Sequence, residues 1–332
     1  MNIDKLKIAF VGCSHWHVPL YLPAVKTHGL NVVAVSDARG EIAERIGGQL
    51  GCNSYTNAEE LLDKEKPDFV FAYDIHSKMP ALAKSIIERD IPFSIEKPLG
   101  VCSQDVIDVK TAAEAKGLYV SIPFVWRYSE LVQNLKKYTD PHDYMNFSYI
   151  NVAGPPSRYE KPSPWMLKAE TAGTGCMTNL GVHFIDMSLY LSGSASGEAL
   201  GSVFHYMNGY DIEDYASTLV KLSSGASMML QTAYAYPMDS ENKRDNVWNF
   251  TTTKGYYTIR DDSVEIREYG RDAFCSNVST DSDGYYAVYT AQTLQDYLDG
   301  VRPKANLDDM LATRLVLDDI IAKAGPAPKA TR

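Results

Sequence analysis

Residues 7–27 read KIAFVGCSHWHVPLYLPAVKT. A short apolar run ends at Gly12, and from Pro19 onward the apolar positions recur at helical spacing. Strand, glycine turn and helix is the opening unit of a parallel α/β sheet. The tight turn lets the helix aim its N-terminal amides over the carboxyl end of the strand. The pattern then repeats. Asn31–Ser36, Asp68–Ala72, Pro92–Ile95 and Tyr119–Ile122 read as strands, with helical patterns over Glu41–Leu50, Met79–Arg89 and Asp105–Lys116 between them. Such alternation predicts an N-terminal Rossmann doubly wound parallel sheet in an α/β protein.

Beyond Pro123 extended runs follow one another with few helices between: Tyr144–Val152, Leu200–Tyr206, Tyr215–Leu222, Ser227–Ala235, Val247–Thr253, Tyr256–Arg260 and Val264–Arg267. Turn residues at Ser223–Gly225 and Lys254–Gly255 join some of them as hairpins. Tyr285–Leu298 and Asp308–Ala324 then read as closing helices. The expectation is a C-terminal α+β domain with a large, mostly antiparallel open sheet. A chain of 332 residues suits two domains, here expected at 1–123 and 124–332, with the helix at 308–324 packing back on the first. The tail GPAPKATR (325–332) is expected to fray.

A net charge of −10 and the lack of a long basic run argue against nucleic acid and anionic membrane surfaces as partners. The five cysteines, Cys13, Cys52, Cys102, Cys176 and Cys275, form no C-x-x-C pair and have no histidine at zinc-ligand spacing. Neither a metal site nor a disulfide framework is expected, and a reducing cytoplasm fits. The N-terminal apolar stretch is too short for a signal peptide or membrane anchor.

The glycine turn matches the dinucleotide fingerprint G-x-G-x-x-G only at Gly12, with Ser14 and His17 at the second and third positions. Ser14 is small and adds a hydroxyl donor. His17 is bulkier than helix–strand packing there normally allows, so the helix should start later or sit further out. Asp37 closes NVVAVSD, 25 residues after Gly12, where a carboxylate can accept both adenosine ribose hydroxyls and repel a 2′-phosphate. NAD is therefore expected over NADP. Asp at a strand end is also an ordinary turn residue or helix N-cap, and Arg39 beside it would stack on adenine or meet a 2′-phosphate. His15, Trp16, Tyr73, Asp74, His76, Glu96 and Lys97 complete the candidate cofactor set. Trp16 would cover the cofactor, or equally pack against protein.

The stretch PFSIEKPLG (92–100) sets Glu96 and Lys97 just past a strand. Ligands of open α/β sheets sit beyond the carboxyl ends of strands, and a lysine there can hydrogen-bond a reacting hydroxyl and hold alkoxide character. Strand, Glu96-Lys97-Pro98 and a following helix resemble the signature of the glucose-fructose oxidoreductase, inositol dehydrogenase and rhizopine-catabolism family (Gfo/Idh/MocA). The resemblance extends to Asp37, to Arg127 in VWRYSEL (125–131) and to AGTGCMTNLGVHFIDMSLYL (172–191). It implies Asn179, His183 and Asp186 as second-domain site residues, with His183 transferring the proton beside the substrate hydroxyl and sharing a site with Lys97. Many family members carry Asp where this chain has Asn179; an amide can orient substrate but cannot shuttle a proton. MTNLGVHFIDM (177–187) is also similar to members that oxidise nucleotide-linked amino-sugar uronates.

A sugar site needs aromatic faces and polar donors. Candidates are Trp126, Arg127, Tyr128, Arg158, Trp165, Asn179 and His183, with Tyr159 and Tyr236 as further aromatics. Arg158 and Lys161 would meet a carboxylate or phosphate, or stand as exposed loop charges. The expected function is NAD-dependent oxidation of a secondary hydroxyl of a sugar, polyol, sugar acid or nucleotide sugar. The alternatives are an NAD-dependent glycoside hydrolase or lyase with transient oxidation, and a non-catalytic NAD-binding sensor. A homodimer or homotetramer through the C-terminal sheet is expected.

Overall fold

In the computed structural model, which describes residues 2–238, 244–260 and 262–325, the chain divides into two units: Met1–Val125 with Asp283–Met310, and Trp126–Ser282 with Leu311–Arg332. The first unit holds β1 (Ile8–Val11), α1 (Val18–His28), β2 (Val32–Ser36), α2 (Gly40–Leu50), β3 (Asn53–Tyr55), α3 (Ala58–Glu65), β4 (Phe69–Ala72), α4 (Met79–Glu88), β5 (Phe93–Ile95), α5 (Ser103–Ala115) and β6 (Val120–Ser121). All six strands are parallel in the order β3-β2-β1-β4-β5-β6. β1, β4 and β5 are buried along their whole length, as strands with helices on both faces must be.

Sequence patterning missed β3 and α3. None of the three residues of β3 is buried, so it carries no apolar run. α3 buries only Leu61 and Leu62 and is secured at its start by the Asn57 side chain, which accepts the Glu60 amide at 2.9 Å.

The second unit holds α6 (Glu130–Tyr138), β7 (Tyr144–Ala153), α7 (Ala169–Ala172), α8 (Val182–Ser192), β8 (Gly197–His205), β9 (Tyr215–Leu222), β10 (Ser227–Tyr234), β11 (Arg244–Thr252), β12 (Gly255–Arg260), β13 (Ser263–Glu268) and β14 (Phe274–Asn277). Eight strands form one sheet, β14-β13-β12-β11-β7-β10-β9-β8, antiparallel except where β10 runs parallel to β7. Along β9 and β10 one face is buried (Ala216, Val220, Met228, Leu230), while the other presents Leu219 and Met229 about half exposed.

Two helices close the chain, α9 (Tyr285–Leu298) and α10 (Leu307–Ala324). The division at 123/124 is thereby modified, because Asp283–Met310 belongs with the first unit. Tyr289 of α9 places its hydroxyl 2.6 Å from Ser94 Oγ and 2.7 Å from Ser121 Oγ, on β5 and β6. Most of α10 groups with the second unit, where Asp319 accepts the Ala199 amide of β8 at 2.6 Å. The tail expected to fray lies, from 326 on, outside the described residues.

Candidate active site

The strand order of the first unit puts its switch point between β1 and β4, where open sheets of this kind bind ligands. Gly12 stands there with φ at +85°, and a Cβ on it would lie 1.9 Å from the Tyr73 carbonyl oxygen at the end of β4. Only glycine permits that approach. α1 begins at Val18 with Pro19 in its first turn, so His17 precedes the helix, the late start that its bulk predicts. Asp37, buried at the end of β2, accepts the Ser14 amide at 2.5 Å and the Arg39 amide at 2.9 Å. Each carboxylate oxygen keeps a further lone pair for a ribose hydroxyl, so glycine turn and carboxylate fit a dinucleotide. The Arg39 guanidinium lies 3.8 Å from Asp37 and is about half exposed.

Beyond β5, Glu96 is 1% exposed and Lys97 2%. Glu96 Oε1 accepts the Tyr21 hydroxyl at 2.7 Å and lies 3.1 Å from His17 Nδ1. The Tyr286 hydroxyl is 3.2 Å from the same ring nitrogen. Burial, with the nearby Lys97 charge, holds His17 neutral; burial and His17 do the same to His15. Burial pushes the Glu96 carboxyl up, and it brings the Lys97 ammonium down to about 8, a shift that Glu96 partly resists. A lysine so placed exchanges its proton near neutral pH.

The other residues of the expected cofactor set have their own local partners. The His15 ring stacks on Trp16 at 4.3 Å. Tyr73 is packing beneath the turn, parallel to Phe10 at 6.3 Å and edge-on to Tyr21 at 5.2 Å. Asp74, half-buried, accepts the Ile75 amide at 2.7 Å, and burial raises its carboxyl. His76 is buried in the short turn after β4.

In the second unit the 172–191 segment is shaped by a residue that sequence reasoning missed. Glu213, fully buried, accepts the Gly175 amide at 2.5 Å and the Met177 amide at 2.8 Å. Its backbone carbonyl accepts Cys176 N at 3.1 Å, and a Cβ on Gly175 would lie 1.9 Å from that carbonyl oxygen. Burial pushes the Glu213 carboxyl up to about 7, against the pull of those amides. The chain then makes one π turn, Met177–Gly181, leading directly into α8. Asn179 in that turn donates from Nδ2 to the hydroxyls of Tyr159, at 3.0 Å, and Tyr234, at 2.9 Å. His183 stands half-buried in the first turn of α8.

Asp186, one turn further on, meets Arg127: Nη2 to Oδ1 is 2.6 Å and Nε to Oδ2 is 3.1 Å, both side chains buried. The Arg127 guanidinium also lies 4.3 Å over Tyr190. Arg127, expected at the substrate, and Asp186, which the resemblance gives as a second-domain site residue, are engaged with each other. Trp126 packs edge-on to Trp248 at 4.9 Å, Tyr128 is buried, and Trp165 is half-buried in a short turn at Pro164–Leu167. Arg158 lies over the rings of Tyr159 and Tyr234. Sequence reasoning passed over Tyr21, Tyr234, Tyr286 and Glu213; the last stands 38 residues from Gly175, in a stretch with no pattern to mark it. Among the described residues no three potential metal-ligating side chains cluster, and no helix is long and apolar enough to cross a membrane.

Comparison with known proteins agrees with this geometry. Residues 6–124 match the family model described as an oxidoreductase family with NAD-binding Rossmann fold, and residues 145–258 match the GFO/IDH/MocA C-terminal domain. The chain is 27% identical over 163 residues to glucose-6-phosphate 3-dehydrogenase of Bacillus subtilis, covering 48% of this chain and 46% of that enzyme, less than half its length. It is 21% identical over 337 residues to levoglucosan dehydrogenase of Pseudarthrobacter phenanthrenivorans, covering 91% of this chain and 83% of the relative. An oxidoreductase from Agrobacterium radiobacter, solved with NAD+, L-tartaric acid and magnesium, shares the fold with a TM-score of 0.86 at 17% identity, covering 96% of each chain. A levoglucosan dehydrogenase solved with NADH and levoglucosan does so with a TM-score of 0.84 at 15% identity, covering 96% of this chain and 97% of that one. The chain therefore belongs to the GFO/IDH/MocA family of oxidoreductases, and its first unit is an NAD-binding domain.

Proposed function

We propose that this protein is an NAD-dependent dehydrogenase that oxidises a secondary hydroxyl of a sugar, polyol, sugar acid or nucleotide sugar. The observation that carries this reading is the buried Lys97 beside Glu96, whose ammonium gives up its proton at about pH 8. When bound, NAD supplies a hydride acceptor. Lys97 in its neutral form accepts the hydroxyl proton or hydrogen-bonds the developing alkoxide, and Glu96 holds that lysine in place. His183, in the first turn of α8, is the second unit's candidate for proton transfer. Asn179, its amide held by two tyrosine hydroxyls, orients substrate and does not act as a base.

The names of two relatives, a sugar-phosphate dehydrogenase and an anhydrosugar dehydrogenase, support a carbohydrate substrate. The half-exposed Leu219 and Met229 on the open sheet face support self-association through that face, as a homodimer or homotetramer. The reducing cytoplasm expected from scattered cysteines stays part of this proposal.

A panel of sugars, inositols and uronates, followed for NADH formation, tests the reading. Turnover that disappears in Lys97→Ala and His183→Ala supports it. Cofactor reduction without NADH release points to the hydrolase or lyase alternative, and NAD binding with no turnover of any panel member points to a sensor.

A further inference from the structure

Two arginines of the second unit are provided for differently. Arg127 has a carboxylate, Asp186, in bidentate contact. Arg158, in the turn after β7, has none: among the described residues no carboxylate pairs with it, and its Nε is buried without a hydrogen-bond partner. Its guanidinium carbon lies 4.7 Å from the Tyr159 ring centre and 5.2 Å from that of Tyr234, and one terminal nitrogen donates to the Tyr159 hydroxyl at 2.8 Å.

Aromatic faces hold a planar cation in a fixed orientation without neutralising it. The neighbouring acid, Glu160, is exposed and accepts the Tyr210 hydroxyl at 2.5 Å. The guanidinium lies beside Gly154, where a Cβ would be in ordinary contact with Arg158 Nη1 at 3.5 Å. The same Tyr159 hydroxyl accepts the Asn179 amide, so the cation is tied through one oxygen to the turn that leads into His183. In a chain of net charge −10, a half-buried cation with no counter-ion among the described residues is a local feature and not part of a broad basic surface.

We propose that Arg158 is the anion-recognition residue of the substrate site, taking the oxyanion of an acidic sugar, either a carboxylate or a phosphate monoester. Its fork of donors suits both. Exposed Lys161 on the same loop adds positive charge for the approach. This rests on the dehydrogenase reading above, and it narrows the substrate from carbohydrates in general to charged ones.

Calorimetry on the full-length, NAD-saturated protein with glucose, glucose 6-phosphate and glucuronate tests it, with NADH formation recorded on the same samples. At least one charged sugar should bind roughly tenfold or more tightly than glucose. The preferred sugar identifies phosphate or carboxylate as the anion. Arg158→Gln, checked for an unchanged melting temperature, should abolish that preference, and Arg158→Lys should keep part of it. Equal binding of all three sugars, binding of neither charged one, or a preference surviving in Arg158→Gln overturns the proposal. A preference for charge without NADH formation overturns the dehydrogenase reading and leaves the anion assignment standing. NADH formation without such a preference does the reverse.

Discussion

Glu96 in the first unit and Glu213 in the second are both buried carboxylates, and each unit has a glycine pressed to within clashing distance of a backbone carbonyl, Gly12 on Tyr73 and Gly175 on Glu213. Their partners separate them. Glu96 faces side chains, the Tyr21 hydroxyl and the His17 ring, and adjoins a lysine. Glu213 faces backbone amides, those of Gly175 and Met177. A carboxylate among titratable groups adjusts their protons, whereas one bonded to amides fixes the path of the chain. Burial alone therefore does not mark a chemical role; the partner does.

The largest effect that would sharpen this contrast is on turnover. Lys97→Ala is expected to lower the rate of NADH formation by roughly 100- to 10,000-fold, while calorimetry still shows NAD binding. In the wild type, oxidation should accelerate as pH rises through about 8, because the neutral lysine is the proton acceptor. A profile flat across that range would remove Lys97 from this role.

Next comes the second unit's buried ion pair. Asp186→Ala removes the carboxylate in bidentate contact with buried Arg127 and should cost about 3 to 5 kcal/mol in denaturant unfolding. A loss under about 1 kcal/mol would show that Arg127 has another adequate partner.

Glu213→Gln keeps one acceptor oxygen and presents an NH2 where the other stood, so an amide of Gly175 or Met177 loses its partner. About 1 to 3 kcal/mol of stability should go with it at pH 5. The pH dependence carries a definite sign. The folded carboxyl titrates at about 7 against an ordinary value of 4.5, so its contribution is fully present below 4.5 and is lost as pH rises through 7. Lys97, at about 8 against 10.5, works oppositely: its contribution is present above 10.5 and lost as pH falls through 8. Melting curves between pH 5 and 8 should therefore fall more steeply with pH for wild type than for Glu213→Gln; parallel curves would place the Glu213 carboxyl at its ordinary value.

The smallest effect concerns the cofactor. Asp37→Ser should weaken NAD binding roughly tenfold and narrow the preference over NADP, as calorimetry with each would show. Unchanged affinity would leave Asp37 with only its amides at Ser14 and Arg39, a purely local role.

Much of the first unit was legible because a parallel sheet writes itself locally: apolar strands, a glycine turn and a carboxylate at a strand end are neighbours in sequence as well as in space. The start of α1 at Val18, after His17, agrees with one of the two outcomes expected from the bulk of that residue. In the second unit the segment around His183 was legible as a motif, but its supports were not. Tyr159 and Tyr234 reach Asn179 from 20 and 55 residues away, and only folding joins them. Arg127 and Arg158 look alike in sequence as loop arginines, yet among the described residues only Arg127 pairs with a carboxylate.

By itself the sequence determined the two kinds of sheet, the glycine turn with Asp37, and the strand-end position of Glu96 and Lys97, since these depend on short-range sterics and hydrophobic periodicity. Tertiary structure alone decided that Asp283–Met310 joins the first unit, that Glu213 shapes the turn before His183, and that Arg158 meets no carboxylate among the described residues. Each of these depends on which polar groups meet after burial, and pairing across dozens of residues leaves no periodic trace in the chain.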